Sequence, residues 1–380
     1  MLCIVVLFLF SFFVKYNYNM RKKILFKKDT DQFLLTLNKA VKEAFSKKDF
    51  VNANLLLWFK LFFYLTIFLG AIAILYLNPY GDNYILLVCN YILIGASGTF
   101  LAFNSAHDAC HGSFGKKKWV NGIIYHFIFN MNGISARLWQ IRHLDSHHLF
   151  PNVDGCDADI DDNPLIRFSP NHRIRPLMKY QHIYAAFLYS FYLVIWIYAK
   201  DFFYLKKKDL ANLINQQHPW WYTLELWLVK IVYLLYIVII PIYLLDFSVS
   251  QILFAYLLML MVDSNIFIHT LISTHFAMET KFPSIDEEGV LPYSYAQHQL
   301  ETSLDYYPRS SFANFIFGGF NAHAAHHLFP DLPHTLYPKI SSIIEPIAKE
   351  FGYTYNKLTL LTAIASHFRY LKMMGRPLEK

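Results

Sequence analysis

Long apolar runs separated by short polar links set the pattern of this chain, in place of the finer alternation of apolar and polar positions that marks a soluble domain. A helix needs about 20 largely apolar residues to cross a bilayer. Four runs reach that length: 55–77, 84–103, 226–245 and 249–272. The links Asn78-Pro79-Tyr80-Gly81-Asp82-Asn83 and Asp246-Phe247-Ser248 are too short for anything but a turn, so the runs pair as two helical hairpins. Neither link carries Lys or Arg, while basic residues flank the opposite ends. The positive-inside rule therefore places 1–54, 106–221 and 273–380 together on the cytoplasmic side. The expected fold is an all-α integral membrane protein: a segment 1–54, cytoplasmic or interfacial, then one domain over 55–380 in which four spans carry a cytoplasmic helical cap, 106–221 and 273–380.

Two shorter apolar pieces, 120–131 and 184–197, read as helices lying in or near the interface, where Tyr and Trp are favoured. If either crossed, the polar segments on its two sides would part. Residues 2–14 are apolar but too short to span. Two readings stay open there: a start at Met20, ahead of Arg21-Lys22-Lys23, or a short interfacial anchor.

Composition agrees with a membrane protein. The 380 residues are 55% hydrophobic and 18% aromatic, outside the balance of a soluble domain. A net charge of +7 comes partly from short basic runs beside the spans, among them Lys116-Lys117-Lys118 and Lys206-Lys207-Lys208. Such runs suit anionic lipid headgroups, and no nucleic-acid partner is expected. Cys3, Cys89, Cys110 and Cys156 form neither a disulfide framework nor a Cys-x-x-Cys pair.

Chemistry is concentrated in three histidine clusters: His107-Asp108-Ala109-Cys110-His111, His143-Leu144-Asp145-Ser146-His147-His148 and His323-Ala324-Ala325-His326-His327. Each stands where apolar sequence gives way to polar. Spacings of three or four residues bring two imidazoles to one helix face. One such pair alone is more often structural; three clusters on one side of a membrane read as a polynuclear metal site. A structural zinc site closes with four ligands, whereas these clusters offer eight imidazoles, enough for two ions. Imidazole serves Fe, Cu, Ni and Zn alike, so ligand type does not name the metal. The Glu-x-x-His pattern of soluble di-iron bundles is absent. The acidic stretch 154–162 lacks the Gly and Glu positions of a calcium loop and reads as a solvated acidic turn able also to orient nearby ligands. Asp263, Asn265 and His269 interrupt the last span, and polar groups there face a protein interior or a site.

The strings HDACHGSF, WQIRHLDSHHLFPNVDGCDADI and HQLETSLDYYPRSSFANFIFGGFNAHAAHHLFPDLPHTLYPKISSII resemble the membrane fatty acid desaturases, above all the front-end and bacterial linoleoyl-CoA desaturase-like branch. The likeness runs from about Lys27 to Tyr355. It implies an oxygen-dependent desaturase that makes a cis double bond in an acyl chain carried on CoA or a lipid. It also implies two Fe ions held by His107, His111, His143, His147, His148, His323, His326 and His327, with O2 as co-substrate. A further ligand is expected after the last span; the string STHFAMET makes it His275, with His269 and Asn265 as lesser candidates. Asp108, Asp145 and Asp159 are candidates to orient ligand rings. His298 is a candidate lining residue, and Trp139 for the acyl passage. The other histidines, His126, His172, His182, His218, His334 and His367, are expected at the surface or interface.

Two departures from the branch stand out. His323 occupies a position where front-end enzymes commonly carry Gln, which leaves regioselectivity open. The His-Pro-Gly-Gly motif of a fused haem domain is missing, so electrons are expected from a separate b-type cytochrome or from ferredoxin with its reductase. The membrane would be the bacterial inner membrane or the endoplasmic reticulum. Rival readings are a hydroxylase or ketolase of the same superfamily and, more remotely, a metal transporter.

Overall fold

The structure is a computed structural model, and it describes residues 19–20, 23–30, 32–161 and 163–377. Residues 2–14 and Arg21-Lys22 lie outside the described residues. The described residues are mostly helical: α1 (Phe33–Ala44), α2 (Lys47–Leu77), α3 (Tyr84–Cys110), α4 (Lys118–Met131), α5 (Ala136–Arg142), α6 (Gln181–Tyr189) and α7 (Tyr192–Lys206) in the first half. The second half holds α8 (Trp220–Leu244), α9 (Val249–His275), α10 (Tyr295–Glu301), α11 (Ser311–Phe317), α12 (His323–Leu328), α13 (Tyr337–Glu350) and α14 (Leu360–Met374). Three two-residue strand pairs tie distant loops together, Asn19–Met20 with Leu213–Ile214, Leu25–Phe26 with Val290–Leu291 and Asp305–Tyr306 with Lys357–Leu358.

Among the described residues, four helices, α2, α3, α8 and α9, are long and apolar enough to cross a membrane, and they form the two hairpins read from the sequence. Their ends are set by local chemistry. Ser46 and Ser248 close capping boxes at the starts of α2 and α9, and Asn78 ends α2 in the left-handed conformation with its N–H on the Ile74 carbonyl. Outward faces stay apolar: Leu55, Phe59 and Phe62 on α2 and Leu253 and Phe254 on α9 are exposed, as lipid contact requires. Inward faces pack around Leu57, Phe68, Tyr91, Ile237 and Met259.

The helices run further than the apolar runs. α3 continues past residue 103 through a π turn, Ala102–Ala106, to Cys110, and α9 continues to His275. Backbone hydrogen bonding does not need apolar side chains once the surroundings are protein. That continuation is what carries histidines from the membrane layer into the cap.

The segment 184–197, expected as one interfacial helix, is not continuous. The segment is broken into Pro176–Tyr189 and Tyr192–Lys206, bent by 74°. Its second half turns into the bundle, where Leu193, Trp196 and Ile197 are buried. The Leu193 N–H donates to Ser264 Oγ at 3.0 Å and Trp196 Nε1 donates to Asp201 Oδ1 at 3.0 Å, so the polar groups of this apolar piece find partners inside the protein.

Candidate metal centre

Two π turns decide how the histidines are dealt out. In an α-helix, residues four apart share a face, which pairs His143 with His147. Here α5 passes into a π turn over His143–His147, and the His148 N–H bonds the His143 carbonyl at 2.9 Å, five residues back. His143 and His148 then share a face, their Nε2 atoms 3.0 Å apart, and His147 points elsewhere. The π turn at Ala102–Ala106 adjusts α3 in the same way just before His107. It is held by Asn104 Nδ2, which donates to the Ile316 carbonyl at 3.0 Å, and by Gly318, whose φ of +60° brings it against the Phe103 carbonyl. Such turns are frequent at functional sites because they re-aim side chains.

The nine histidines expected to be ligands converge in two groups: His107, His111, His143, His148 and His326; and His147, His275, His323 and His327. In the first, His143 Nε2 lies 3.2 Å from His107 Nε2 and 3.0 Å from both His111 Nε2 and His148 Nε2. In the second, His275 Nε2 lies 2.7 Å from His323 Nε2 and 3.1 Å from both His147 Nε2 and His327 Nε2. A neutral imidazole has one N–H and one lone pair, so three close nitrogens around one Nε2 exceed what hydrogen bonding can satisfy. A cation between them resolves the crowding. With a metal–nitrogen bond of about 2.1 Å, ligands at right angles stand about 3.0 Å apart, the spacing seen here. His326 Nε2, buried without a hydrogen-bond partner, also fits a lone pair kept for a metal.

The far sides of the rings fix the tautomers. His275 Nδ1 donates to the Thr302 carbonyl at 2.8 Å. His147 Nδ1 sits 3.1 Å from both oxygens of Asp157, which also accepts the Asn152 and Asp159 N–H groups. Both arrangements leave Nε2 as the ligand atom. Burial, followed by repulsion from neighbouring rings, holds His143, His148, His326 and His327 well below the ordinary histidine range; burial also lowers His111 to about 4, against the pull of the Asp108 carboxylate. For His147 burial pulls the same way, but the Asp157 carboxylate outweighs it and raises the ring.

The other sequence candidates lie elsewhere. Asp108 accepts from His334 Nδ1 at 2.7 Å rather than from a clustered histidine. Asp159 pairs with Arg142 at 2.6 Å and stands 3.7 Å from His147 Nδ1. Asp145 is half-buried on the π turn. His269 Nδ1 bonds the Asn265 carbonyl within α9, Asn265 Nδ2 donates to Ser190 Oγ, and neither joins a histidine group. His298 is buried with Nε2 on the Pro151 carbonyl at 3.0 Å. The residue that sequence reasoning missed is Asp157. Its signal is its place ten residues beyond His147 in the acidic turn expected to orient nearby ligands, where Asp159 is the sequence candidate; Asp154 and Asp161 in that turn pair with His172 and Lys207.

Several histidines expected at the surface are interior. His126, His334 and His367 are buried, because each meets a partner only the fold supplies: Glu225, Asp108 and the Phe276 carbonyl. Trp139 stacks on His143 with ring centroids 4.2 Å apart and packs against Phe129. Phe129 lines an enclosed, largely apolar cavity between the spans, with Trp196, Phe267 and Asp263.

Sequence comparisons point the same way. A profile of the fatty acid desaturase family matches residues 82–359. The sn-1 linoleoyl-lipid 6-desaturase of Synechocystis sp. is 29% identical over 299 residues, covering 77% of this chain and 80% of its own length. The acyl-lipid (8-3)-desaturase of Mortierella alpina is 30% identical over 300 residues, covering 76% of this chain and 65% of its own. The human protein named fatty acid desaturase 3 is 24% identical, covering 71% of this chain and 57% of its own. Four apolar helices, two convergent sets of imidazoles and a profile match across most of the chain lead to one conclusion: this protein is an enzyme of the fatty acid desaturase family.

Proposed function

We propose that the two histidine groups each hold one iron and that the pair uses O2 to form a cis double bond in an acyl chain carried on a lipid. The observation that carries this reading is the division of nine buried imidazoles into two adjoining sets, with ring contacts such as His148 to His327 at 4.5 Å joining them. An all-nitrogen dinuclear site suits oxygen chemistry better than a structural zinc site does. Bound there, the metal pair supplies the oxygen activation that removes hydrogen from unactivated methylenes, which side-chain acid–base chemistry cannot do. The overall change balances as one CH2–CH2 unit, O2, two electrons and two protons giving one CH=CH unit and two waters.

The chain's own residues prepare the place for this chemistry. Asp157 and the Thr302 carbonyl orient His147 and His275. Trp139 lays an apolar face over His143, and Phe129 behind it lines a small, largely apolar cavity between the spans. The lipid carrier is favoured by the relatives named linoleoyl-lipid and acyl-lipid desaturases. The basic residues beside the spans favour a site on the cytoplasmic face, with electrons delivered by a separate b-type cytochrome or ferredoxin.

Purified protein is expected to hold about two irons per chain and little zinc. Reconstituted with a reductase and donor and supplied with O2, it is expected to yield a product about two mass units lighter than the substrate, as loss of two hydrogens requires. A product about sixteen units heavier identifies a hydroxylase. Iron reconstitution that restores no activity refutes the di-iron reading.

A further inference from the structure

Lys60 stands well inside the first spanning helix, α2, and is fully buried. An ammonium at such a depth is costly and persists only with partners that compensate it. Its Nζ lies 2.5 Å from His334 Nε2, 3.3 Å from the Asn314 carbonyl and 5.0 Å from the Phe315 ring centroid. His334, also fully buried, passes its other nitrogen to Asp108: Nδ1 is 2.7 Å from Oδ2, and the His334 backbone N–H reaches the same oxygen at 3.3 Å. The roles follow from donor and acceptor counting. Lys60 has only donors and the Asp108 carboxylate only acceptors, so His334 between them accepts at Nε2 and donates from Nδ1. The line runs from the Lys60 amino group through imidazole to carboxylate.

What this line joins is more informative than its charge. Asp108 stands in the first histidine motif, next to His107 and three residues before His111. His334 opens the turn that leads from the third motif into α13, and Asn314 Nδ2 donates to its carbonyl at 3.0 Å. The set around His143 draws His107 and His111 from the first motif and His326 from the third. The set around His275 takes nothing from the first motif. Two of its members have braces of their own, His275 on the Thr302 carbonyl and His147 on Asp157, and neither brace touches Lys60, His334 or Asp108.

We propose that Lys60, His334 and Asp108 act as one positioning clamp that sets the first histidine motif against the third, and thereby governs metal occupancy of the His143 set and not of the His275 set. This rests on the di-iron reading above. None of the three residues is itself a ligand. They act by fixing where His107 and His111 stand relative to His326.

The test compares iron content and electron paramagnetic resonance spectra of purified full-length variants. Lys60→Met keeps an unbranched side chain of similar length that a membrane helix accepts. His326→Ala and His323→Ala mark the loss of the first and of the second set. Lys230→Met, which removes a buried ion pair with Asp201 at 2.6 Å, controls for generally lowered stability. Lys60→Met is expected to fall from about two irons per chain to about one, with the spectrum of His326→Ala, while Lys230→Met keeps both. The double variant Lys60→Met/Asp108→Asn is expected to lose no more than the worse single variant, because members of one unit are not additive. If Lys60→Met does not accumulate in the membrane, Asp108→Asn, which keeps the side-chain shape, is expected to show the same selective loss. The clamp is overturned if these variants keep both irons with the wild-type spectrum, or lose both sets together. Wild-type protein that binds two ions of another metal contradicts the iron assignment alone, and the same comparison made with that metal still decides the clamp.

Discussion

A histidine becomes a ligand through what holds its far nitrogen as much as through where it falls in a motif. His275 and His269 lie on the same helix, yet only His275 has Nε2 among other imidazoles and Nδ1 on a carbonyl outside its helix. His275→Ala is therefore expected to abolish activity and lower iron content while membrane insertion persists, and His269→Ala to retain both; metal analysis of the two membrane-extracted variants checks this. His323→Ala is expected to be inactive, whereas His323→Gln, whose carboxamide also offers a lone pair, is expected to keep some turnover. Full activity in His323→Ala removes that residue from the site. Asp157→Asn keeps the shape but weakens the charge on His147 Nδ1, and a loss of about 10- to 100-fold in metal affinity or activity is expected, read by chelator titration. Sequence alone pointed to the motif histidines through their spacing and to His275 through family likeness. Asp157 escaped because nothing in a row of aspartates says which one faces a ring.

At the scale of elements, the π turns are what separate one histidine group from the other. His147 and His148 are adjacent in sequence and serve different sets. His148→Ala and His147→Ala are thus expected to leave different single-iron spectra, matching His326→Ala and His323→Ala respectively; identical spectra refute the division. Gly318 supports the first π turn in a left-handed conformation, and a Cβ there would come within 2.3 Å of the Phe103 carbonyl oxygen. Gly318→Ala combines backbone strain with a clash against backbone that cannot swing aside. A loss on the order of 2–3 kcal/mol is expected, measured as a lower midpoint in a thermal or denaturant melt. Helical periodicity foretold helices at these places. It could not foretell a five-residue turn, because the extra residue is stabilised by Asn104 and Gly318 contacts from a helix some 200 positions away in the chain.

The whole molecule buries many imidazoles, and this makes its stability depend on pH. His367 is fully buried, with Nδ1 on the Phe276 carbonyl and Nε2 receiving the Tyr189 hydroxyl, and burial lowers it to about 4. An unfolded histidine titrates near 6.5. Because the folded value lies below the unfolded one, this stabilisation is complete above about pH 6.5 and is lost as pH falls toward 4. The metal-free protein is expected to melt at lower temperature as pH drops from 7 to 5. His367→Gln should flatten that dependence by on the order of 2–3 kcal/mol across the window; an unchanged slope refutes the assignment.

Four apolar runs, two short links and the placing of basic residues determined the helical hairpins from sequence alone, because the bilayer leaves so few ways to satisfy a backbone. Three histidine clusters likewise pointed to a candidate metal centre, since so many imidazoles at the edges of apolar runs suit two ions better than a surface role. Which histidine joins which set, which carboxylate braces which ring, and where His334, His367 and Trp196 come to rest were decided only by the tertiary structure. Hydrophobic runs and ligand types are properties of local sequence. The orientation of a ring depends on partners such as Asp157, Thr302 and Lys60, whose distance from it in sequence carries no local signal.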